Sequence, residues 1–252
     1  MKNHHIYFIG AGPGDPKHLT IQGLNCLKKS KVVFAPNIYK TTYKKYLRNK
    51  IVYDPMDYLF KDLKKLIDHY LKDADISFLL PGDETVFSPF QPLIDYYREV
   101  ATVVPGVGVV NAASALLKKT LDLPSVSNTI VLTSSRSLKT SFEDHNFTRF
   151  LGRDMTLVLF MNHIPLQELT ERLIPYMGAN CPIVILYKIS LKEEEIIEGT
   201  LKNITNIVQK DYFTSTKEPS MALVIVGYVL KKRATIKSWD YRKINIWDKR
   251  KK

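Results

Sequence analysis

The chain has 252 residues, enough to bury a sizeable core as one large domain or two small ones. Hydrophobic content of 45% and aromatic content of 11% are globular values, and no run of about 18 apolar residues offers a membrane span. The net charge of +12 suits nucleic acid, an anionic surface or a polyanionic small molecule. No basic stripe with interleaved aromatics marks a nucleic-acid binder, so that class ranks last.

The N-terminus enters strand pattern at once, without a signal-peptide pattern. Ile6–Ile9 reads as a short buried strand, followed by a glycine turn and a helix over Ile21–Lys29, with Asp15 and Thr20 as cap-type residues. Gly10, Gly12 and Gly14 let a ligand approach the backbone. Pro13 has no N–H to offer a phosphate, and no Gly-Lys-Ser/Thr follows, so neither a dinucleotide cradle nor a triphosphate loop is indicated.

Further strands are predicted at Lys31–Ala35, Ile51–Asp54, Ile76–Leu80 and Ala101–Val104. Between them fall helices over part of Lys40–Lys50, Tyr58–Leu71 (Leu59, Leu63, Leu66, Ile67 and Tyr70 on one face) and Phe90–Glu99, with Val109–Thr120 after the last strand. Alternating strands and helices with Gly or Pro at strand ends predict a largely parallel α/β sheet. Leu123–Asn128 reads as a connector, which divides the chain into domains 1–122 and 123–252. The second half carries strands at Thr129–Thr133, Met155–Met161, Pro182–Tyr187, Glu193–Gly199 and Met221–Val229, but helices only at Leu166–Met177 and Leu201–Gln209, which predicts a mixed sheet. The polar stretch Ser134–Thr148 reads as a loop.

Three strand ends in the first half share one character: Gly10–Asp15, Pro81–Val86 and Pro105–Val109. They predict a backbone-lined cleft without strong catalytic side chains, placed where α/β sheets bind ligands. His4, His5, His18, His69, His145 and His163 show no metal spacing, nor do Cys26 and Cys181, which fit two buried thiols in a reducing cytoplasm. His163 is the histidine to watch, since it follows a strand end at Met161.

Taken in order, YFIGAGPGDPKHLTIQGLNCLKKSKVVFAP (Tyr7–Pro36), PGD (Pro81–Asp83), VVPGV (Val103–Val107), LVLFMN (Leu157–Asn162) and SMALVIVGYV (Ser220–Val229) resemble the tetrapyrrole (corrin/porphyrin) methyltransferase family. The resemblance covers residues 6–230. It implies a two-domain α/β fold, an N-terminal largely parallel sheet and a C-terminal mixed sheet, with S-adenosyl-L-methionine in the interdomain cleft and S-adenosyl-L-homocysteine as product. By motif position, Pro13, Pro81, Gly82, Asp83, Val86, Gly108, Val109, Met161, Ile189 and Ala222 would line the cofactor site. A homodimer is implied as well.

Pro36 stands where the uroporphyrinogen-III branch carries an Asp. Pro124–Arg136, Leu159–Ile174 and Tyr187–Leu201 are most similar to the precorrin-4 and cobalt-precorrin-4 branch, which methylates carbon 11 of the ring. Phe78–Phe90 is closer to the precorrin-2 branch, which methylates carbon 20, and Glu84 replaces the family's usual proline. These features imply methyl transfer to a polycarboxylate tetrapyrrole, with another tetrapyrrole or a protein or peptide as the alternative acceptor. Arg136 and Lys188, with Lys40 and Arg48 behind them, are the basic residues suited to the substrate's carboxylates. No metal, membrane or catalytic acid–base residue is assigned. Trp239, Tyr241, Ile244, Ile246 and Trp247 read as a docked segment or a partner contact.

Overall fold

In the computed structural model, residues 4–134, 147–210, 213 and 221–235 are described. The chain forms two compact units: Met1–Ala112 together with Ile189–Lys192, and Ala113–Lys188 together with Glu193–Lys252. The predicted division at 122/123 falls in the segment after the last helix before Thr129.

The first unit is built on β1 (Ile6–Gly10), β2 (Val32–Phe34), β3 (Ile51–Tyr53), β4 (Ile76–Leu80) and β5 (Ala101–Val104), in the order β3-β2-β4-β1-β5 with every pairing parallel. Side chains alternate across a pleated strand, so the central strands are apolar on both faces. On one face Phe34 and Phe8 each lie beside Phe78, with centroids 4.5 and 4.9 Å apart. They pack with Ile6, Val32 and Ile76 against Leu63 and Ile67 of α4 (Phe60–Tyr70) and Leu93 of α5 (Gln91–Tyr96). Each such aromatic pair contributes about 0.5–1.5 kcal/mol beyond area burial.

On the other face Ile9, Val33, Leu79 and Val104 meet Leu27 of α1 (Ile21–Lys29), Tyr39 of α2 (Asn37–Thr42), Tyr43 just beyond it, and Leu47 of α3 (Lys44–Leu47). Ser77 is the polar residue buried within β4. Its hydroxyl lies 2.6 Å from that of Ser30, which donates onward to the Cys26 carbonyl.

Thr20 caps α1 as the sequence predicts, accepting from the Gly23 amide at 3.0 Å. The helix predicted over Tyr58–Leu71 starts later: Leu59 is its N-cap, 79% exposed, so it does not belong to the buried face. The helix predicted over Phe90–Glu99 is confined to α5, with Pro92 in its first turn and Tyr97 as its C-cap. The last helix of this region is α6 (Val109–Leu117).

In the second unit β6 (Thr129–Ser134), β7 (Met155–Phe160), β8 (Pro182–Tyr187), β9 (Glu195–Thr200) and β10 (Ala222–Val226) take the order β6-β7-β10-β8-β9. Only β6–β7 is parallel; the other three pairings are antiparallel. The expected mixed sheet is present. Leu169, Leu173 and Met177 of α7 (Leu166–Met177) pack on Leu157, Leu159, Ile183, Ile185, Val224 and Val226.

Two predictions for this unit are corrected. The strand predicted over Met221–Val229 stops at Val226, and Tyr228–Leu230 forms a 3-10 turn. Gly227 lies so close to Thr156 and Met155 that a Cβ there would meet their atoms at 3.1–3.2 Å. The helix predicted over Leu201–Gln209 is reduced to α8 (Ile204–Ile207). Leu201 and Lys202 give their amides to Cys181 and Ala179, and the Asn203 side chain accepts from the Thr200 amide and hydroxyl. Arg136, His145, Trp239, Tyr241, Ile244, Ile246, Trp247 and most of the Ser134–Thr148 loop lie outside the described residues.

Candidate functional site

The three strand ends singled out in the first half do meet. Beyond β1, the Ala11 amide donates to Leu80 O at 2.8 Å. Gly12 and Gly82 then form an antiparallel bridge, both at positive φ (75° and 68°). A Cβ on Gly10 would sit 2.6 Å from Gly106 N and 2.8 Å from Gly82 O. The backbones of the three turns are therefore in direct contact, and no side chain fits between them at Gly10 or Gly106.

Two buried tyrosines hold the first turn in place. Tyr39 donates to Gly12 O at 2.7 Å and Tyr43 to Ala11 O at 2.6 Å. Desolvation by burial raises the pKa of both phenols, with the charge of Asp15 adding to it at Tyr43, so both remain hydrogen-bond donors. Ser190, at φ 67°, accepts from the Asp15 amide at 3.0 Å, and Leu191 fills the space beside Gly14.

The second turn contains Asp83, whose Oδ1 accepts from the Thr85 amide at 2.9 Å and the Thr85 hydroxyl at 2.8 Å. Asp83 thus shapes its own turn, as Asp does in Asx turns. Gly82 faces Val109 N and the Gly108 Cα across 3.5 and 3.9 Å, and Asp83 Cβ lies 3.8 Å from the Cβ position of Gly108. Gly82, Asp83, Gly108 and Val109 are thereby brought together. Pro13 is buried and Pro81 exposed at the rim, Val86 is exposed, and Ile189 is buried.

Glu84 is the residue that the sequence assigned no role. It is 5% exposed, and its Oε1 has no hydrogen-bond partner among the described residues. Desolvation, and then the charge of Asp83, push its carboxyl up to about 8. An unpaired buried carboxyl oxygen costs about 1–3 kcal/mol even in the neutral form. The available signal was the residue itself, a second carboxylate directly after Asp83 in a short strand-end turn.

In the second unit, Met161 follows β7 at φ 46° and Lys188 follows β8 at φ 48°. Non-glycine residues in this region cost about 1–3 kcal/mol each. Met161 is 39% exposed, and the buried Asn162 side chain donates to Ala222 O at 2.9 Å. Ala222 and Met161 therefore sit at neighbouring strand ends. The Lys188 ammonium lies 5.4 Å from the Tyr187 ring. Lys40 is half-buried on α2, whereas Arg48 and His163 are exposed.

Among the described residues, no group of three or more His, Cys, Asp or Glu is placed to hold a metal ion, and no helix is long and apolar enough to cross a membrane. Cys26 and Cys181 are free and buried, and burial pushes the Cys181 thiol up to about 12.

A parallel sheet with glycine turns meeting at its strand ends, paired in sequence with a mixed sheet, defines a recognisable class. The model of the Tetrapyrrole (Corrin/Porphyrin) Methylases matches residues 5–205, and the chain belongs to that family. It is 28% identical over 242 residues to the precorrin-4 C(11)-methyltransferase of Pseudomonas aeruginosa, covering 94% of this chain and 95% of that protein. Its fold is similar to that of a cobalt precorrin-4 methyltransferase of cobalamin biosynthesis (TM-score 0.77, 21% identity, 90% of this chain and 96% of the other). It is also similar to a Thermus thermophilus uroporphyrin-III C-methyltransferase complexed with S-adenosylhomocysteine (TM-score 0.66, 21% identity, 90% and 93% covered).

Proposed function

We propose that the protein is an S-adenosyl-L-methionine-dependent methyltransferase of cobalamin biosynthesis that methylates carbon 11 of precorrin-4 or its cobalt form. The observation that carries this reading is the end-to-end similarity to a precorrin-4 C(11)-methyltransferase, 94% of one chain on 95% of the other.

The residues present fit the cofactor. They offer strand-end backbone groups, small residues at Gly108 and Val109, and a buried carboxyl oxygen at Glu84 that lacks a partner. Pro13, Pro81, Gly82, Asp83, Val86, Gly108, Val109, Ile189, Met161 and Ala222 are the residues proposed to hold it. The cofactor supplies an electrophilic methyl group on a sulfonium. The chain's own task is to bind, orient and exclude water around an electron-rich ring carbon. Rigid turns suit that task, and the tyrosine-braced glycine turns are rigid by construction. Lys188, Lys40, Arg48 and Arg136 are the cations proposed to pair with the ring's carboxylates. The same reading includes a cytoplasmic location and a homodimer, the latter checked by light scattering on the purified protein.

The test is calorimetric titration with S-adenosylhomocysteine, followed by turnover with precorrin-4 and cobalt-precorrin-4 read by mass spectrometry. Cofactor binding and a product one methyl heavier are expected. A folded protein that binds no S-adenosylhomocysteine would overturn the reading. Cofactor binding with methylation of only another acceptor would move the substrate to precorrin-2 or a peptide.

A further inference from the structure

Resting on the cofactor reading above, we infer that Glu84 is a ligand-binding residue whose buried carboxyl is completed by a hydrogen-bond donor or positive charge of the bound cofactor and gives up its proton when that happens.

The geometry singles this side chain out. Glu84 follows the Pro81-Gly82-Asp83 turn, where the strand-end backbones converge, and its Oε1 is buried without a partner among the described residues. It caps no helix through that oxygen, since α5 begins seven residues later at Gln91. Its neighbours on the turn are already paired with each other, Asp83 with Thr85. A structural carboxylate would be expected to hold an element together; this oxygen holds none.

Among the described residues, no positive charge acts on it: burial and the charge of Asp83 are the two influences on its carboxyl. On its own turn the charge is Asp83, which disfavours a second carboxylate. The turn after β1 carries Asp15, Lys17 and His18; Lys17 is paired with Asp15 at 3.8 Å. Tyr39 and Tyr43 give their hydroxyls to Gly12 and Ala11, and α6 carries no titratable residue. Glu84 therefore stays protonated to about 8 in the free protein. A donor or cation arriving at Oε1 favours the ionised form.

The cofactor has such groups. Its ribose hydroxyls and amino groups occur with and without the transferable methyl; its sulfonium charge exists only with it. The chemistry asked of the ligand is the same in both cases, and the two cofactor forms tell them apart.

The experiment is calorimetry on the full chain with S-adenosylhomocysteine and with S-adenosylmethionine, in buffers of different ionisation enthalpy. At about pH 7 binding is expected to release close to one proton, falling towards none above about pH 9. Release with both ligands assigns a hydroxyl or amino partner; release with S-adenosylmethionine alone assigns the sulfonium. Glu84→Gln is expected to bind about tenfold more weakly and to release no linked proton. Binding by wild type without proton exchange, or equal release from Glu84→Gln, would overturn this role and leave the methyltransferase reading standing. Absence of any binding would take down both. The wild-type pH series decides the matter even if the variant fails to fold.

Discussion

Gly12 and Gly82 exchange two backbone hydrogen bonds: the Gly12 amide donates to Gly82 O at 3.1 Å, and the Gly82 amide donates to Gly12 O at 2.9 Å. The Tyr39 hydroxyl adds a third bond on the Gly12 oxygen. The turns after β1 and β4 are therefore tied to each other through backbone bonds, and a change in either alters the partners of the other.

Alanine at Gly10 and at Gly82 should differ sharply. At Gly10 the new methyl meets backbone atoms at 2.6–2.8 Å, which cannot move aside cheaply. At Gly82 the nearest atom is 3.5 Å away and only the φ of 68° resists. Urea unfolding should show a loss above about 3 kcal/mol for Gly10→Ala and about 1–2 kcal/mol for Gly82→Ala. Equal losses would mean the turns do not pack as described.

Tyr39→Phe and Tyr43→Phe keep the buried rings but leave Gly12 O and Ala11 O each short of one donor. Each should cost about 1–2 kcal/mol in unfolding free energy. If the turn is also the cofactor cradle, S-adenosylhomocysteine affinity should fall severalfold in both. Unchanged affinity with reduced stability would separate the brace from the site.

Asp83→Ala and Thr85→Val form a diagnostic pair. Both remove the Asp83–Thr85 hydroxyl bond, but only the first removes the bond to the Thr85 amide. If Asp83 acts solely by shaping the turn, the loss of S-adenosylhomocysteine affinity should follow the bonds removed, about fivefold for Thr85→Val and about twenty-five-fold for Asp83→Ala. A loss in Asp83→Ala well beyond about a hundredfold, seen by calorimetry, would assign Asp83 a direct ligand contact.

The Glu84 carboxyl sits at about 8 in the folded chain against an ordinary 4.5. Between those values the folded state keeps a proton that the unfolded state has released. Stability therefore falls as pH rises from about 4.5 to about 8, by up to about 1.4 kcal/mol per unit. Glu84→Gln should flatten this slope in urea midpoints taken from about pH 5 to about pH 8. A slope identical to wild type would show that Glu84 is not the group responsible.

Cys181, with its thiol pushed up to about 12 by burial, should react with a disulfide reagent only after unfolding. Rapid modification of the native protein at this position would contradict its burial.

Much of the fold was legible because its signals are local. Continuous apolar runs ended by Gly or Pro marked β1, β4 and β5, and Thr20 marked the start of α1. Where the sequence misled, a distant contact decided. The length of β10 is set by Gly227 pressing on Thr156, and the short α8 by Leu201 and Lys202 bonding back to the Cys181 region. At the site, the glycine turns were visible as turns, but their mutual contact was not, since it joins residues roughly 25 to 100 apart. The Tyr39 and Tyr43 braces were equally hidden: in sequence they are two tyrosines in a basic stretch. Glu84 was visible as an unusual residue, but only burial gives it chemical meaning.

The four residues Ile189–Lys192 belong to the first unit, although 76 residues of the second (113–188) precede them in the chain. Chains are made from the N-terminus, and domains commonly fold as they emerge from the ribosome. Here the Asp15 amide and the space beside Gly14 must wait for Ser190 and Leu191 to be synthesised. Asp15 is translated 175 residues before Ser190, so the glycine turn exists long before it receives all its neighbours. Its final ordering is therefore tied to production of the whole intervening stretch.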